Sequence, residues 1–276
     1  MTPLSSLLLP MAFIGGGNMA NALIGGLLKN GAPAASIRVV EPLAATAQAL
    51  QSQHGVHVLS AADATLQDCA LVVWAVKPQV FKEAALLTAP HVATALHLSV
   101  AAGITSNSIA QWLHTERVVR AMPNTPALVG LGQTGLYARA AVSPAEKTAI
   151  TDMMGLMGES LWVDTEDLLD AVTALSGSGP AYVFYFLEAM VDSGVQMGLT
   201  PAQAHQLAVG TFVGASELAR SSSETPAVLR QRVTSKGGTT FAALSVMQEQ
   251  GLNAILLKAM QAAQERAKSL GQELGG

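Results

Sequence analysis

The stretch Phe13-Ile14-Gly15-Gly16-Gly17-Asn18-Met19-Ala20 decides how the first half of the chain folds. It follows a short apolar run and opens a segment with helical spacing. Its pattern is G-x-G-x-x-A, in which the first glycine makes a tight turn, the second lets the backbone approach a pyrophosphate, and the small last residue packs helix on strand. A dinucleotide site is predicted; the alternative is a glycine turn without a ligand. The candidate cofactor residues are Gly15, Gly17, Asn18, Met19 and Ala20.

Short apolar runs alternate with helical segments as far as about residue 165. Near-continuous Val/Ile/Leu runs separated by helices predict a parallel sheet covered on both faces. The predicted strands span residues 8–14, 37–41, 70–75, 96–100, 117–121, 135–138 and 161–163. The predicted helices between them span residues 19–29, 43–53, 80–87, 106–114 and 145–157.

From about Glu166 onward only helices are predicted, over residues 180–197, 201–220, 226–233, 239–250 and 253–270. Expected helix caps are Thr200 and Thr225, and expected helix ends are Gly198, Gly251 and Gly271. The fold class is an α/β Rossmann-type dinucleotide-binding domain, residues 1–165, followed by an all-helical domain, residues 166–276. The helices are rich in Ala and Leu and poor in charge, so dimerisation through this domain is expected.

Composition excludes several classes of protein. No run of about 20 apolar residues is present, so no membrane span is predicted. A net charge of −4 does not provide the excess of positive charge that general binding of nucleic acid requires. The single cysteine, Cys69, forbids an internal disulfide and a cysteine-rich metal site. Residues 1–10 lack the pattern of a signal peptide, so a cytoplasmic protein is predicted. Residues 1–6 are expected to form a loose extension.

Glu41 stands where the dinucleotide fingerprint places an acid, at the end of the second predicted strand. A carboxylate there accepts hydrogen bonds from both ribose hydroxyls and repels a 2′-phosphate, which favours NADH. Arg38 is nearby but lies inside the strand. A solvated glutamate at a strand end is an equal alternative, so the preferred cofactor stays open.

Three further loops follow predicted strands, at the edge of the sheet where ligands of α/β proteins bind. They are Ala75–Pro78, Val100–Gly103, and Met122–Pro126, in which two prolines flank an Asn-Thr pair. The alternatives are a surface lysine at residue 77 and an ordinary turn at residues 122–126. The candidate cofactor contacts are Ala75, Val76, Lys77, Pro78, Ala101, Ala102 and Asn124.

Two segments of the helical half place small and hydroxyl residues before predicted helices: Ser176–Tyr182 and Thr234–Thr240. Free backbone N–H groups at a helix start attract anions. Two such starts suggest a bound carboxylate, while ordinary helix capping is the alternative for each.

Together, Phe13–Ala20, Ala75–Pro78, Met122–Pro126, Ser176–Tyr182 and Thr234–Thr240 resemble the pyrroline-5-carboxylate reductase family over nearly the whole chain. The resemblance implies reduction of Δ1-pyrroline-5-carboxylate to L-proline, usually with NADPH, by a homodimer formed through the helical domain and often by a ring of dimers.

The resemblance also implies roles for individual residues. Thr240 is the catalytic candidate, bonded to the ring nitrogen, while Ser235, Gly238 and Thr239 hold the substrate carboxylate; Glu166 is a weaker candidate for a substrate contact. The chain departs from the family pattern at Glu41, where many members favour a 2′-phosphate, and at Arg232, where Asn is common. Both departures bear on the cofactor rather than on the reaction.

No metal cluster, Ser-His-Asp arrangement or paired carboxylates are evident, and the six histidines are assigned to surface or turn positions. This suits a cyclic imine, because hydride addition to a protonated imine removes charge and needs no oxyanion hole. The enzyme therefore needs only to align substrate and cofactor and to exclude water.

Two rival functions differ in class. A β-hydroxyacid dehydrogenase needs a base, usually a lysine on the first helix of its helical domain, and residues 180–197 contain no lysine; Lys236 is the only candidate and lies in a loop. A nucleotide-sensing protein that kept the fold and lost activity would be expected to lose the Ser/Thr/Gly loops, which are intact here.

Overall fold

The computed structural model describes residues 8–274 of the chain, in two compact units. Among the described residues, the sheet unit comprises those up to Ser178 and those from Ala263 onward, and the helical unit comprises Gly179–Ala262. The expected extension, residues 1–6, lies outside the described residues. The domain boundary between residues 165 and 166 stays a prediction.

The sheet unit contains eight strands among its described residues, in the order β3-β2-β1-β4-β5-β6-β7-β8. The strands are β1 (Met11–Ile14), β2 (Ile37–Val40), β3 (His57–Leu59), β4 (Leu71–Trp74), β5 (Leu96–Ser99), β6 (Val118–Met122), β7 (Gly132–Ala138) and β8 (Gly158–Trp162). All seven predicted strands are confirmed within a few residues. The sequence did not predict β3, which is only three residues long and begins with a polar histidine.

Neighbouring strands are parallel apart from β6 and β7, which pair antiparallel. The prediction of a parallel sheet is therefore wrong for this pair. Parallel neighbours need a crossover of about a dozen or more residues. Only residues 123–131 join β6 to β7, so the chain turns back.

Helices cover both faces of the sheet, as predicted. They are α1 (Asn18–Lys29), α2 (Ala44–His54), α3 (Pro78–Thr88), α4 (Ser106–Leu113) and α5 (Pro144–Gly155). Side chains alternate along each strand. In β1, Met11 and Phe13 therefore join one apolar cluster, with α1, α2 and α5, while Ala12 and Ile14 join the other, with α3 and α4.

His97 corrects the assignment of the histidines to surface or turn positions. It lies in β5, is 1% exposed, and its Nδ1 accepts a hydrogen bond from Trp74 Nε1 at 3.2 Å. Burial lowers the pKa of His97 to about 4, so the ring is neutral at physiological pH.

After β8 the described chain is helical. The helices are α6 (Leu168–Val172), α7 (Gly179–Gln196), α8 (Pro201–Ser221), α9 (Pro226–Arg232), α10 (Thr239–Glu249) and α11 (Leu252–Leu274). Thr200 and Thr225 cap α8 and α9 as predicted, each accepting a backbone N–H three residues on. Gly198 and Gly251 adopt positive φ between helices, as expected of helix ends. Gly271 does not end a helix, because α11 continues through it.

The helical unit packs through small residues. A Cβ on Gly194 of α7 would lie 2.9 Å from Ala204 Cβ of α8, so these helices approach closely. Across residues 179–262, all of them described, only Gly194, Ala204 and Ala208 are buried. Many large apolar side chains of this unit are therefore exposed. None of the helices within residues 8–274 is long and apolar enough to cross a membrane.

Candidate active site

The glycine turn after β1 has the conformation that its sequence predicts. Gly15 adopts φ +93°, a region that favours glycine, and its N–H donates to the Val40 carbonyl at 2.9 Å. A Cβ on Gly15 would lie 2.8 Å from the Ala75 carbonyl oxygen and 2.9 Å from Val76 Cγ1. The turn is thus packed against the residues that follow β4.

Gly17 leaves space at the start of α1. It is the N-cap residue, with extended backbone, and no atom lies within 4 Å of where its Cβ would be. The first helical bond of this turn runs from Asn21 N–H to the Gly17 carbonyl at 2.9 Å. The N–H groups of Asn18, Met19 and Ala20 precede that bond and have no helical acceptor. Open space beside such N–H groups suits a pyrophosphate.

Glu41 is a component of the turn rather than a solvated residue at a strand end. It is 8% exposed, and its Oε2 accepts a hydrogen bond from Gly16 N–H at 2.9 Å. Its Oε1 accepts a second from Leu43 N–H, also at 2.9 Å. Two backbone donors thus hold a carboxylate beside the glycine turn. Arg38 is directed elsewhere and pairs with Asp68 at 2.5 Å.

The next two loops lie at the same sheet edge. Ala75 N–H donates to the Ile14 carbonyl at 2.8 Å, which joins the end of β4 to the end of β1. Lys77 is the exposed N-cap residue of α3, and Pro78 occupies the first turn of that helix. Beyond β5, Ala101 is buried and its N–H donates to Ser99 Oγ at 3.3 Å, while Ala102 is half-buried. These residues share the edge where dinucleotides bind.

Asn124 holds the loop after β6 together. Its Nδ2 donates to the Ser176 carbonyl at 3.1 Å, and its Oδ1 accepts from Gln133 N–H at 2.9 Å. The residue is buried. Its side chain therefore anchors the loop, and its contact with a cofactor stays a prediction.

Glu166 binds residues of the sheet unit. Its carboxylate accepts from Ser106 N–H and Ser106 Oγ, both at 2.5 Å, and pairs with Arg120 Nη1 at 2.7 Å. Burial raises the pKa of Glu166, but these hydrogen bonds and the Arg120 charge outweigh it, and the pKa lies below its usual value. Both oxygens are engaged; its role as a substrate contact stays a prediction. Sequence reasoning missed Arg120, whose signal was a charge inside a buried strand.

The segment Ser176–Tyr182 does not form the free helix start that was predicted. Residues Thr173–Gly177 make a π-helical turn that joins α6 to α7, and Ser178 N–H donates to the Thr173 carbonyl at 2.8 Å. The backbone groups expected to attract an anion lie within a helical run instead. The glycine has a packing role, because a Cβ on Gly177 would lie 2.5 Å from Met122 Cε.

The segment Thr234–Thr240 does form a free helix start. Gly237 adopts φ +74°, and Gly238 is the N-cap residue of α10, with its N–H donating to the Ser235 carbonyl at 3.0 Å. The first helical bond runs from Ala242 N–H to the Gly238 carbonyl. The N–H groups of Thr239 and Thr240 therefore have no helical acceptor.

This turn brings the predicted substrate residues of the helical unit together. A Cβ on Gly238 would lie 2.6 Å from Ser235 Oγ, so the serine hydroxyl lies over the helix start. Ser235 is thus close to Gly238, and Thr239 and Thr240 follow at once as the first residues of α10. Such a helix start is suited to a carboxylate.

Within residues 8–274, no group of three or more His, Cys, Asp or Glu side chains is placed to hold a metal ion.

Comparisons with known proteins cover both halves of the chain. Residues 166–270 match the family model for pyrroline-5-carboxylate reductase dimerisation, and residues 10–103 match the model for coenzyme F420-dependent NADP oxidoreductases. The pyrroline-5-carboxylate reductase of Pseudomonas aeruginosa is 43% identical over 267 residues, which cover 96% of this chain and 98% of the relative.

Solved structures agree with the sequence matches. The pyrroline-5-carboxylate reductase of Coxiella burnetii superposes with a TM-score of 0.88 at 36% identity, covering 95% of this chain and 98% of that one. The pyrroline carboxylate reductase of Plasmodium falciparum, solved with NADP bound, gives 0.84 at 26% identity, covering 95% and 97%. On these matches, which extend over nearly its whole length, the chain belongs to the pyrroline-5-carboxylate reductase family.

Proposed function

We propose that this chain reduces Δ1-pyrroline-5-carboxylate to L-proline with a hydride from a reduced nicotinamide cofactor. The observation that carries the proposal is the free start of α10, where the N–H groups of Thr239 and Thr240 have no helical acceptor and the Ser235 hydroxyl lies close to Gly238. The substrate has a carboxylate and an imine, which such a helix start can hold. A relative named for this activity, from Pseudomonas aeruginosa, matches 96% of the chain.

The cofactor fits the turn after β1. The pyrophosphate would be held by the first-turn N–H groups of α1 in the open space at Gly17. The edge residues Ala75, Val76, Lys77 and Pro78, then Ala101, Ala102 and Asn124, would border the rest of it. The bound nicotinamide supplies the hydride.

The chain's own residues supply alignment rather than strong acid–base catalysis. The N–H groups of α10 and the Ser235 hydroxyl bind the substrate carboxylate, and the Thr240 hydroxyl forms a hydrogen bond at the ring nitrogen and orients its proton. Because the protonated imine is already an electrophile, no developing anion has to be stabilised. Glu166 contributes by fixing the start of the 166–178 segment to α4 and β6.

Glu41 supports NADH as the preferred cofactor. Its carboxylate is buried beside the turn and held by two backbone N–H groups. A negative charge there repels a 2′-phosphate, whereas it accepts hydrogen bonds from ribose hydroxyls. The Plasmodium falciparum relative, in contrast, was solved with NADP bound.

The exposed apolar side chains of the helical unit support a homodimer formed through that unit. Phe184, Tyr185, Val213 and Leu218 are each more than half exposed. Patches of this kind mark protein interfaces, and the family model that matches here is a dimerisation model. A ring of such dimers is the larger assembly that we propose.

The cytoplasm is the proposed compartment. Proline synthesis consumes a reduced nicotinamide cofactor, and the single cysteine, Cys69, is a free buried thiol that needs no oxidising compartment. Cell fractionation with an antibody against the protein would test this, and recovery in a secreted fraction would contradict it.

The deciding experiment follows absorbance of NADH and NADPH with purified protein, with and without Δ1-pyrroline-5-carboxylate. We expect consumption that depends on the imine and a higher kcat/KM with NADH. Binding without consumption would favour a nucleotide sensor. Reduction of added NAD⁺ or NADP⁺ by a β-hydroxyacid would favour the dehydrogenase, which is disfavoured because α7, Gly179–Gln196, contains no lysine.

A further inference from the structure

The C-terminal part of α11 lies against the loop that follows β5, within the sheet unit. Gly103 adopts φ +76°, and a Cβ there would lie 3.2 Å from Leu270 Cβ and 3.5 Å from Gly271 N. A Cβ on Gly271 would lie 3.0 Å from the Gly103 carbonyl oxygen. One turn earlier, Ala267 is buried. Two glycines thus let the helix backbone approach the loop backbone.

Helix formation does not account for Gly271. Glycine is among the least favourable residues inside a helix, and α11 continues beyond Gly271 to Leu274. The close approach to Gly103 does account for it, because any side chain would press against the loop.

Beside this contact lies a polar cavity of about 670 Å³. Its lining includes Thr105, Asn107, Arg120, Asp167 and Asp170, together with Lys268 and Gly271 of α11. The helix thus borders this cavity, and its backbone approaches the loop at Gly103.

We propose that Gly271 is a positioning residue for the loop 100–103, acting through Gly103. This rests on the proposed function, in which Ala101 and Ala102 border the cofactor beyond its pyrophosphate. The nicotinamide end would lie there, because small residues after β5 let the ring approach the backbone. Displacing the loop would change the placement of the nicotinamide ring. It would not change the hold on the adenosine diphosphate half, which depends on the turn Gly15–Ala20.

The test compares Gly271→Val and Gly271→Ala with the control Gln264→Val, at an exposed position of the same helix. Calorimetry would measure the Kd of NADH and of ADP-ribose, which lacks the nicotinamide ring. For Gly271→Val we expect NADH to bind about tenfold more weakly and kcat to fall about tenfold, because small misplacements of reacting groups are costly. ADP-ribose should bind as in the wild type.

Gly271→Ala keeps the experiment decisive if the valine variant does not fold, because alanine favours the helix. It should show a smaller change in the same direction, about threefold, since its methyl group reaches only the carbonyl of Gly103. Equal weakening of NADH and ADP-ribose, or no change in either, would overturn the proposal. A wild-type protein that binds NADH without reducing the imine would refute the proposed function but leave this comparison valid.

Discussion

The two units of the molecule differ in where their apolar side chains lie. The sheet unit fills both faces of its sheet with buried residues, including Phe13, Trp74 and Phe81. The helical unit buries only Gly194, Ala204 and Ala208 across residues 179–262 and exposes Phe184, Tyr185 and many others. A unit with its own core holds its shape alone, whereas the helical unit needs further apolar surface to pack against.

In the proposed reaction the two units bind different molecules, the cofactor and the substrate. The cofactor turn belongs to the sheet unit, where Gly15, Gly16 and Glu41 are fixed by hydrogen bonds and close packing. The start of α10 belongs to the helical unit. Cofactor binding should therefore survive changes that abolish dimerisation, while turnover should not.

Phe184→Asp should have the largest effect. Placing a charge in the proposed interface should raise the dissociation constant of the dimer about a hundredfold or more, because buried aromatic residues dominate such interfaces. We expect turnover to be lost with NADH affinity retained, as measured by analytical ultracentrifugation, enzyme assay and calorimetry.

The control for that variant is Leu87→Asp, on α3 of the sheet unit. Leu87 is 67% exposed and Phe184 is 65% exposed, so the two substitutions are matched in accessibility. Leu87→Asp should leave the dimer intact. If the dimer dissociated in both variants, or in neither, the helical unit would not be distinguished from the sheet unit as the site of dimerisation.

Thr240→Ala should come next. Removing the hydroxyl at the imine nitrogen should lower kcat roughly tenfold to a hundredfold, as expected for one hydrogen bond to a charged group, with the Kd of NADH nearly unchanged. Thr211→Ala is the control, because the Thr211 hydroxyl bonds only within α8, to the Leu207 carbonyl. A matching loss of NADH affinity in Thr240→Ala would count against the assigned role.

Glu41→Ser should act on the sheet unit and change cofactor choice, while the loss of the acceptor for the Gly16 and Leu43 N–H groups should weaken both cofactors alike. Removing the buried carboxylate should raise the ratio of kcat/KM for NADPH over NADH about tenfold, because a like charge no longer opposes the 2′-phosphate. Glu83→Ser, at an exposed position of α3, is the control. Steady-state kinetics with both cofactors measures the ratio, and an unchanged ratio would remove Glu41 as its determinant.

His97 gives the smallest effect at neutral pH. The pKa of His97 is about 4 in the folded protein and about 6.5 in the unfolded chain. Between these two pH values the unfolded chain therefore binds a proton at His97 that the native state does not bind. Stability is thus full above pH 6.5 and falls towards pH 4, by about 3 kcal/mol. In urea unfolding, His97→Gln should lose this pH dependence while retaining a hydrogen-bond acceptor for Trp74.

The control His205→Gln changes an exposed histidine of the helical unit and should keep the wild-type profile. A wild-type profile in His97→Gln would show that other groups cause the loss of stability at low pH.

Apart from β3, the strands of the sheet unit and the helices that cover them were predictable because each carries its own periodicity and its own breakers. The antiparallel pairing of β6 with β7 was not, because it depends on the length of a connection rather than on the strands themselves. His97 was misassigned for a similar reason. Its burial depends on Trp74 and on the neighbouring strands, which no local pattern shows.

The two helix starts of the second half show the same limit. Thr234–Thr240 has the predicted free N–H groups, because Gly237 adopts a positive φ and the backbone turns there before α10 begins. Ser176–Tyr182 has equally small residues but continues the helix, with Ser178 N–H donating to the Thr173 carbonyl at 2.8 Å. Composition alone does not distinguish these outcomes.

A crystal structure of the dimer with NAD⁺ and L-proline bound would be the decisive test of the substrate site at the start of α10. We expect the proline carboxylate at the first turn of α10, within hydrogen-bond distance of the Thr239 and Thr240 N–H groups, with the ring nitrogen at the Thr240 hydroxyl. Proline bound elsewhere, or a nicotinamide ring too far from C5 of the proline for hydride transfer, would contradict this assignment of the substrate site.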